Sequence, residues 1–348
     1  MKGYLQISPD SSQIESKVID WMRLPLAVLV VFVHVPRQSG NLPKWIWSDA
    51  ISSMAVPLFF VLSGFLYFYN IAHPEKPQEW YLPKTISRLK SIAIPYLFWA
   101  LLPTSFFCIR KIVGMLIHWH GPDMLIEGLS QMNFYHIHWE SGNGGPEQMQ
   151  LWFLRNLLII ITFTPPLCIF LKQIKYSSLP LLFIASIFNI WIPVPGFSAN
   201  STFFFAIGAW CAIHRVSIFQ VSKNLFYPSI VRSVIGIILL YFHIIPLIVF
   251  NVIAMPMYIY GMWLLFSKES IKPIPTLTNA TMFIYLTHGY IVEEPKIWEL
   301  AHRFLPYNRF GELVGYFTIP LLAIIALIAF HWVLRKSILQ TMSFICGR

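Results

Sequence analysis

Apolar stretches recur along the whole chain with only short polar gaps, and this alternation limits the fold more than any other feature. Ten such segments can be marked, at about residues 22–36, 51–72, 91–112, 151–171, 178–194, 202–217, 229–244, 246–267, 278–293 and 313–335. A membrane-crossing helix needs about 20 apolar residues, so 348 residues can supply ten crossings joined by short loops. In lipid every backbone N–H and C=O must be bonded internally, which a helix achieves within one segment. The expected fold is therefore all-α, a polytopic membrane helical bundle of about ten transmembrane helices. Residues 1–21 read as a cytoplasmic N-terminal segment, 22–336 as the membrane domain and 337–348 as a cytoplasmic C-terminal tail.

Composition agrees with this reading. Hydrophobic residues make up 56% of the chain and charged residues only 11%, where soluble domains carry about 25% charged residues. The formal charge of +10 does not indicate nucleic-acid binding, because the basic residues sit at segment ends and form no runs. They fit the positive-inside rule instead. With a cytoplasmic N-terminus, the inner side holds Lys17, Arg23, Lys84, Arg88, Lys90, Lys172 and Arg335 and carries more basic residues than the outer side. The first 20 residues are polar, so no cleavable leader is expected. The four cysteines, Cys108, Cys168, Cys211 and Cys346, have no motif spacing and read as packing residues.

The first apolar segment, "MRLPLAVLVVFVH", begins with Arg23 close by and ends on His34. Eleven helical steps of about 100° bring the two side chains to one face, about 16 Å apart along the axis. Arg23 would lie near the cytoplasmic headgroups and His34 at or beyond mid-membrane. An ionisable residue at that depth usually faces a cavity or a partner. Either Arg23 meets an anionic ligand and His34 does acid–base work, or Arg23 is a topology anchor and His34 bonds within the bundle.

The next segment, "MAVPLFFVLSGFLYFY", contains Phe59-Phe60-Val61-Leu62-Ser63-Gly64. Together with Arg23-x10-His34 it resembles the acyltransferase-3 family of integral-membrane O-acyltransferases. "KTISRLKSIAIPYLFW", "LWFLRNLL", "FFFAIGAWCAIH" and "NATMFIYLTHGYI" resemble further parts of that family, and the likeness runs from about residue 18 to 336. It implies transfer of an acyl group, usually acetyl, from cytoplasmic acyl-CoA to a hydroxyl of a surface glycan or its lipid-linked precursor, in a bacterial inner membrane. Acetyl-CoA is then a donor substrate, with no resident cofactor and no metal. The partners expected are acyl-CoA, a glycan or lipid-linked glycan and membrane lipid, with no nucleic acid and with a homodimer left open. His34 matches the family's catalytic histidine, Arg23 its partner, and Ser63 and Gly64 the lining beside the first span. Gly64 also suits close helix packing.

The family often has Arg-x-x-Arg on the inner loop, and this chain departs from it. Arg88 is followed by Lys90 and Ser91. Lysine lacks the guanidinium fork but binds phosphate as a point charge, so Lys84, Arg88 and Lys90 are the donor-phosphate candidates. A neutral imidazole suits the reaction, since it can take the proton of a hydroxyl attacking a thioester.

Acceptor candidates are Trp152, at the start of the fourth span, Arg155, a charge within an apolar run, and His288 in "YLTHGY". "HWH" (118–120) and "HIH" (136–138) would each present both imidazoles on one face of an extended strand. Without nearby cysteines they read as loop or glycan-facing residues, not as a metal site. The sequons at Asn200 and Asn279 fall at a span edge and on the inner side. A transporter or flippase of lipid-linked sugars is the rival class, and the lack of an internal repeat weighs against it.

Overall fold

The computed structural model describes residues 9–36, 41–69, 77–118, 123–141, 145–268, 270–301, 303–306, 308–337, 342, 345 and 346. Among these the chain is helical throughout, with one isolated bridge between Ser141 and Gly145. The first half comprises α1 (Pro9–Val33), α2 (Leu42–Trp45), α3 (Ala55–Tyr69), α4 (Pro77–His118), α5 (Asp123–Ser130), α6 (Phe134–His138), α7 (Trp152–Thr162) and α8 (Thr164–Ile174). The second half comprises α9 (Ser178–Ile187), α10 (Ala199–Ile213), α11 (Ile218–Tyr241), α12 (Leu247–Phe266), α13 (Pro275–Thr287), α14 (Gly289–Val292), α15 (Pro295–Ala301) and α16 (Arg309–Ser337).

The described part of each of the ten apolar segments is largely helical. Six helical stretches are long and apolar enough to cross a membrane: Leu42–Tyr69, Tyr81–Ile117, Thr164–Ile187, Ile218–Tyr241, Leu247–Phe266 and Arg309–Ser337. Met149–Thr162 and Ala199–Ile213 add shorter apolar helices. The outward faces are apolar, as lipid contact requires. Val231, Ile235 and Ile238 of α11 and Leu322 and Ile325 of α16 are all exposed. The chain is an all-α polytopic membrane bundle.

Two breaks were only partly visible in the sequence. Segment 151–171 is not one straight helix. It stops at Thr162 and restarts at Thr164, because Pro165 and Pro166 have no N–H to continue the ladder and instead begin α8. Thr164 Oγ1 donates to the Ile161 carbonyl across the break. Segments 229–244 and 246–267, which run together in sequence, are separate helices packed along one another. His243 takes a positive φ of 55° between them and Pro246 caps α12.

The closest packing joins α3 to α10. A Cβ added at Gly64 would lie 2.0 Å from the Phe205 carbonyl oxygen, and one added at Gly208 would lie 1.8 Å from that of Val61. The reciprocal glycines let the two backbones touch, as small residues do between membrane helices. Helices α1, α13 and α16 complete the centre, around Met22, Leu26, Phe60, Phe65, Phe205 and Ile284. The end of the chain joins this core. Met342, Ile345 and Cys346 are buried, and Trp99 Nε1 donates to the Ile345 carbonyl at 3.1 Å.

The glycine contact gives a direct test. Gly64→Ala puts a methyl group into backbone that has no room to yield, so it should cost about 1–3 kcal/mol. Gly114→Ala, with nothing within 4 Å of the new Cβ, should be neutral or stabilise by about 0.5–1 kcal/mol. Thermal midpoints of the two purified variants in detergent read the difference, and equal midpoints would refute the packing role.

Candidate active site

A cavity of about 350 Å³ opens within the bundle between α1, α3, α4, α7 and α13. Arg23 and Arg88 bring two guanidinium groups to it, and Ser63, Tyr67 and Ser91 bring hydroxyls. Phe59, Phe153, Leu157 and Met282 line it with apolar surface. Arg23 also reaches Asp20 at 3.2 Å, but both side chains are nearly half exposed. That pair is weak and leaves the cation available to a stronger anion. Lys84 stands beside the cavity, its Nζ 5.8 Å from the ring centre of Tyr67. Lys90 is exposed and does not line the cavity.

Hydroxyls brace this wall. Tyr67 pairs with Thr85 at 2.6 Å, Thr164 Oγ1 lies 3.1 Å from the Tyr67 hydroxyl, and Tyr81 bonds to Thr164. Cations at the mouth followed by a narrow apolar depth suit a ligand with a phosphate head and a thin neutral arm.

His34 lies elsewhere. Helix α1 ends at Val33 because Pro36 follows, and the residue before a proline avoids helical geometry. His34 closes the last turn, its N–H bonded to the Val31 carbonyl at 3.2 Å. His34 does not line the arginine cavity, which Arg23 does. Its imidazole meets two groups that flank α14, His288 before it and Glu293 after it. Nδ1 is 2.6 Å from Glu293 Oε1, and the ring stands edge-on to His288 with centroids 4.9 Å apart.

His288 is fully buried. Its Nδ1 lies 2.8 Å from the Tyr285 carbonyl, an acceptor that assigns the proton to Nδ1. Its Nε2 has no partner. By the same logic the Glu293 carboxylate holds the proton of His34 on Nδ1 and leaves Nε2 free to act as a base. Glu293 is the residue that sequence reading missed. The only available signal was an acid five residues beyond His288 at the end of the same apolar segment.

The other candidates divide clearly. Ser63 lines the cavity, whereas Gly64 faces Phe205 of α10 and serves packing. Trp152 starts α7 with its ring 6.2 Å from that of Phe60, and it lines a second cavity.

Arg155 does not face a pore. It is 1% exposed, with Nη1 at 2.5 Å from both Glu140 Oε2 and the Trp139 carbonyl. Its Nε and Nη2 donate to Asn156 Oδ1 at 3.3 and 3.2 Å. A planar guanidinium in an apolar helix requires this many acceptors, so Arg155 ties the 123–150 segment to α7.

Residues 134–138 are helical, not extended, so His136 and His138 point apart, and His138 Nε2 meets Thr104 at 3.1 Å. Trp119 and His120 lie outside the described residues. Among the described residues no group of three or more His, Cys, Asp or Glu could hold a metal ion.

Residues 17–336 match the acyltransferase domain family, Acyl_transf_3. That match spans nearly the whole chain, so the chain belongs to this family of membrane acyltransferases. No curated protein and no solved structure gives a significant match.

The Arg155 clamp can be tested by its stability cost. Glu140→Ala leaves a buried cation short of its counter-charge and should cost about 3–5 kcal/mol. Glu140→Gln keeps an acceptor and should cost less. Midpoints that do not change for Glu140→Ala, measured by thermal unfolding in detergent, would show that Arg155 is not held by this pair.

Proposed function

We propose that the chain transfers an acyl group, acetyl in the first instance, from cytoplasmic acyl-CoA to a hydroxyl of a cell-surface polysaccharide or lipid-linked glycan. It acts in a bacterial inner membrane with both termini cytoplasmic. The observation that carries this reading is the 2.6 Å contact of Glu293 with His34 Nδ1, which equips an imidazole at the end of a membrane helix to act as a base. The arginine cavity supports the donor assignment, since Arg23 and Arg88 suit the phosphates of acyl-CoA and the apolar depth suits its pantetheine arm. Lys84, beside the same wall, adds positive charge to the mouth, and Lys90 contributes from the surface.

In this mechanism the acceptor oxygen attacks the thioester carbonyl as His34 Nε2 takes the hydroxyl proton. The C–S bond then breaks, an ester forms, and the thiolate of CoA leaves and takes back the proton. Glu293 acts through His34 as a positioning residue, stabilising the imidazolium as it forms. His288 backs the imidazole with a buried neutral ring, which keeps a second charge away from the site. A variant of the scheme places the acyl group transiently on His34 before transfer, and trapping with acceptor omitted distinguishes the two.

The test uses purified protein in lipid vesicles with labelled acetyl-CoA and a surface-glycan extract. His34→Ala should lower transfer by about 10²–10⁴-fold, the usual contribution of a general base, with normal expression. Glu293→Gln should lower kcat by about 10–100-fold with little change in KM for acetyl-CoA. Arg23→Ala and Arg88→Ala should instead raise that KM, by about 10–150-fold for the loss of one charge-assisted contact of about 1.5–3 kcal/mol. Full transfer by His34→Ala would refute the mechanism, and movement of acetyl-CoA or glycan without release of free CoA would favour a transporter.

A further inference from the structure

The arginine cavity has two unlike ends. Leu66 and Tyr67 line one end from the last turn of α3, and Phe59 lines the other from its first turns. At about 1.5 Å per residue the seven or eight steps between them give a depth of about 10–12 Å. Helix α13 spans the same depth, from Thr278 to Tyr285. The cations belong to the Tyr67 end. Thr85 pairs with Tyr67, and Arg88 follows Thr85 by three residues on α4. Arg23 lies ten residues before the end of α1, which places it about 15 Å along the axis from that end.

The far end is closed by rings. Phe153 is the hub of a cluster, its centroid 4.6 Å from that of Phe60, 5.8 Å from Tyr285 and 5.9 Å from Phe59. Rings at such separations are packed against one another. The cluster leads on to the histidines. Tyr285 is 6.2 Å from His288, and His288 is 4.9 Å from His34. Phe153 and Tyr285 both line the cavity, so they form the wall that faces the imidazole pair. The Tyr285 hydroxyl donates to the Gln150 carbonyl, which fixes that ring. Phe153 has no polar anchor and meets the other three rings, so its bulk sets the free space at this end.

We infer that Phe153 limits the acyl group to a short, uncharged chain: acetyl is accepted, whereas butyryl, longer chains and succinyl are rejected. The inference rests on the acyl-transfer reading for the identity of the ligand. With the donor phosphates at Arg23 and Arg88, the thioester is delivered toward the ring end and its acyl chain meets Phe153. Acetyl adds one methyl group beyond the carbonyl. Each further methylene must displace a ring from a close-packed cluster, which protein interiors resist. A succinyl group would also bring a carboxylate to an apolar end, away from both lining cations, and an unpaired buried charge is costly.

The test reads binding without turnover. Purified protein in detergent, without acceptor, is loaded with labelled acetyl-CoA, and unlabelled acetyl-, butyryl-, hexanoyl- and succinyl-CoA compete for the site. Butyryl-CoA should compete about tenfold less well than acetyl-CoA, the usual effect of overpacking a filled core. Hexanoyl- and succinyl-CoA should compete less well still. Phe153→Ala should bring butyryl-CoA to within about twofold of acetyl-CoA by opening the space that the ring fills. Phe153→Leu, a milder change that guards against loss of the fold, should move the ratio the same way by less. Succinyl-CoA should stay weak in both variants, since neither supplies a cation. The ratio between competitors is the informative quantity, because general loosening of the fold weakens all of them together.

Equal competition by acetyl- and butyryl-CoA in the parent protein, succinyl-CoA as strong as acetyl-CoA, or a ratio unchanged in both variants overturns the inference. Any of these beside His34-dependent acyl transfer leaves the proposed function standing. Discrimination among chains without acyl transfer to any glycan would support the role of Phe153 and defeat the proposed function instead. Failure of every acyl-CoA to bind would defeat both.

Discussion

A charge inside an apolar bundle must either meet its counter-charge or face a cavity, and the interior of this protein is organised by that requirement. Arg155 is enclosed, so the protein brings Glu140 and the Trp139 carbonyl to it from a segment outside the membrane core. Lys44 is buried and reaches Glu312 of α16 at 3.5 Å. Arg23 and Arg88 have no such enclosure and face the same cavity. The desolvation cost of an ion in low dielectric is several kcal/mol. Enclosed cations therefore mark structural seams, where acceptors are brought to them, and Arg23 and Arg88 stay on a cavity wall.

The cavity itself depends on how closely two helices approach. Gly64 and Gly208 let α3 and α10 touch through their backbones, which fixes the axial position of α3. Ser63, one residue before Gly64, then projects toward α1 and α4 and lines the arginine cavity. A helix rotates about 100° per residue, so neighbours in sequence serve different faces. The motif Phe59-Phe60-Val61-Leu62-Ser63-Gly64 is thus divided: Phe59, Leu62 and Ser63 line the arginine cavity, Phe60 the second cavity, and Val61 and Gly64 the helix contact.

This division explains what could be read from sequence. Apolar length identified the membrane helices, because backbone hydrogen bonding in lipid leaves few alternatives. The resemblance of Arg23-x10-His34 and its neighbouring motifs identified the family across nearly the whole chain. A helical wheel, however, shows only the faces of one helix, and His34, just past the end of α1, pairs with Glu293 and does not line the cavity of Arg23. Likewise Arg155 looked like a pore charge, because nothing local in the sequence shows that Glu140, 15 residues earlier, folds back onto it. Glu293 was hidden for a similar reason, since 259 residues separate it from His34. Long-range pairing is set by packing, which spacing along one chain does not encode.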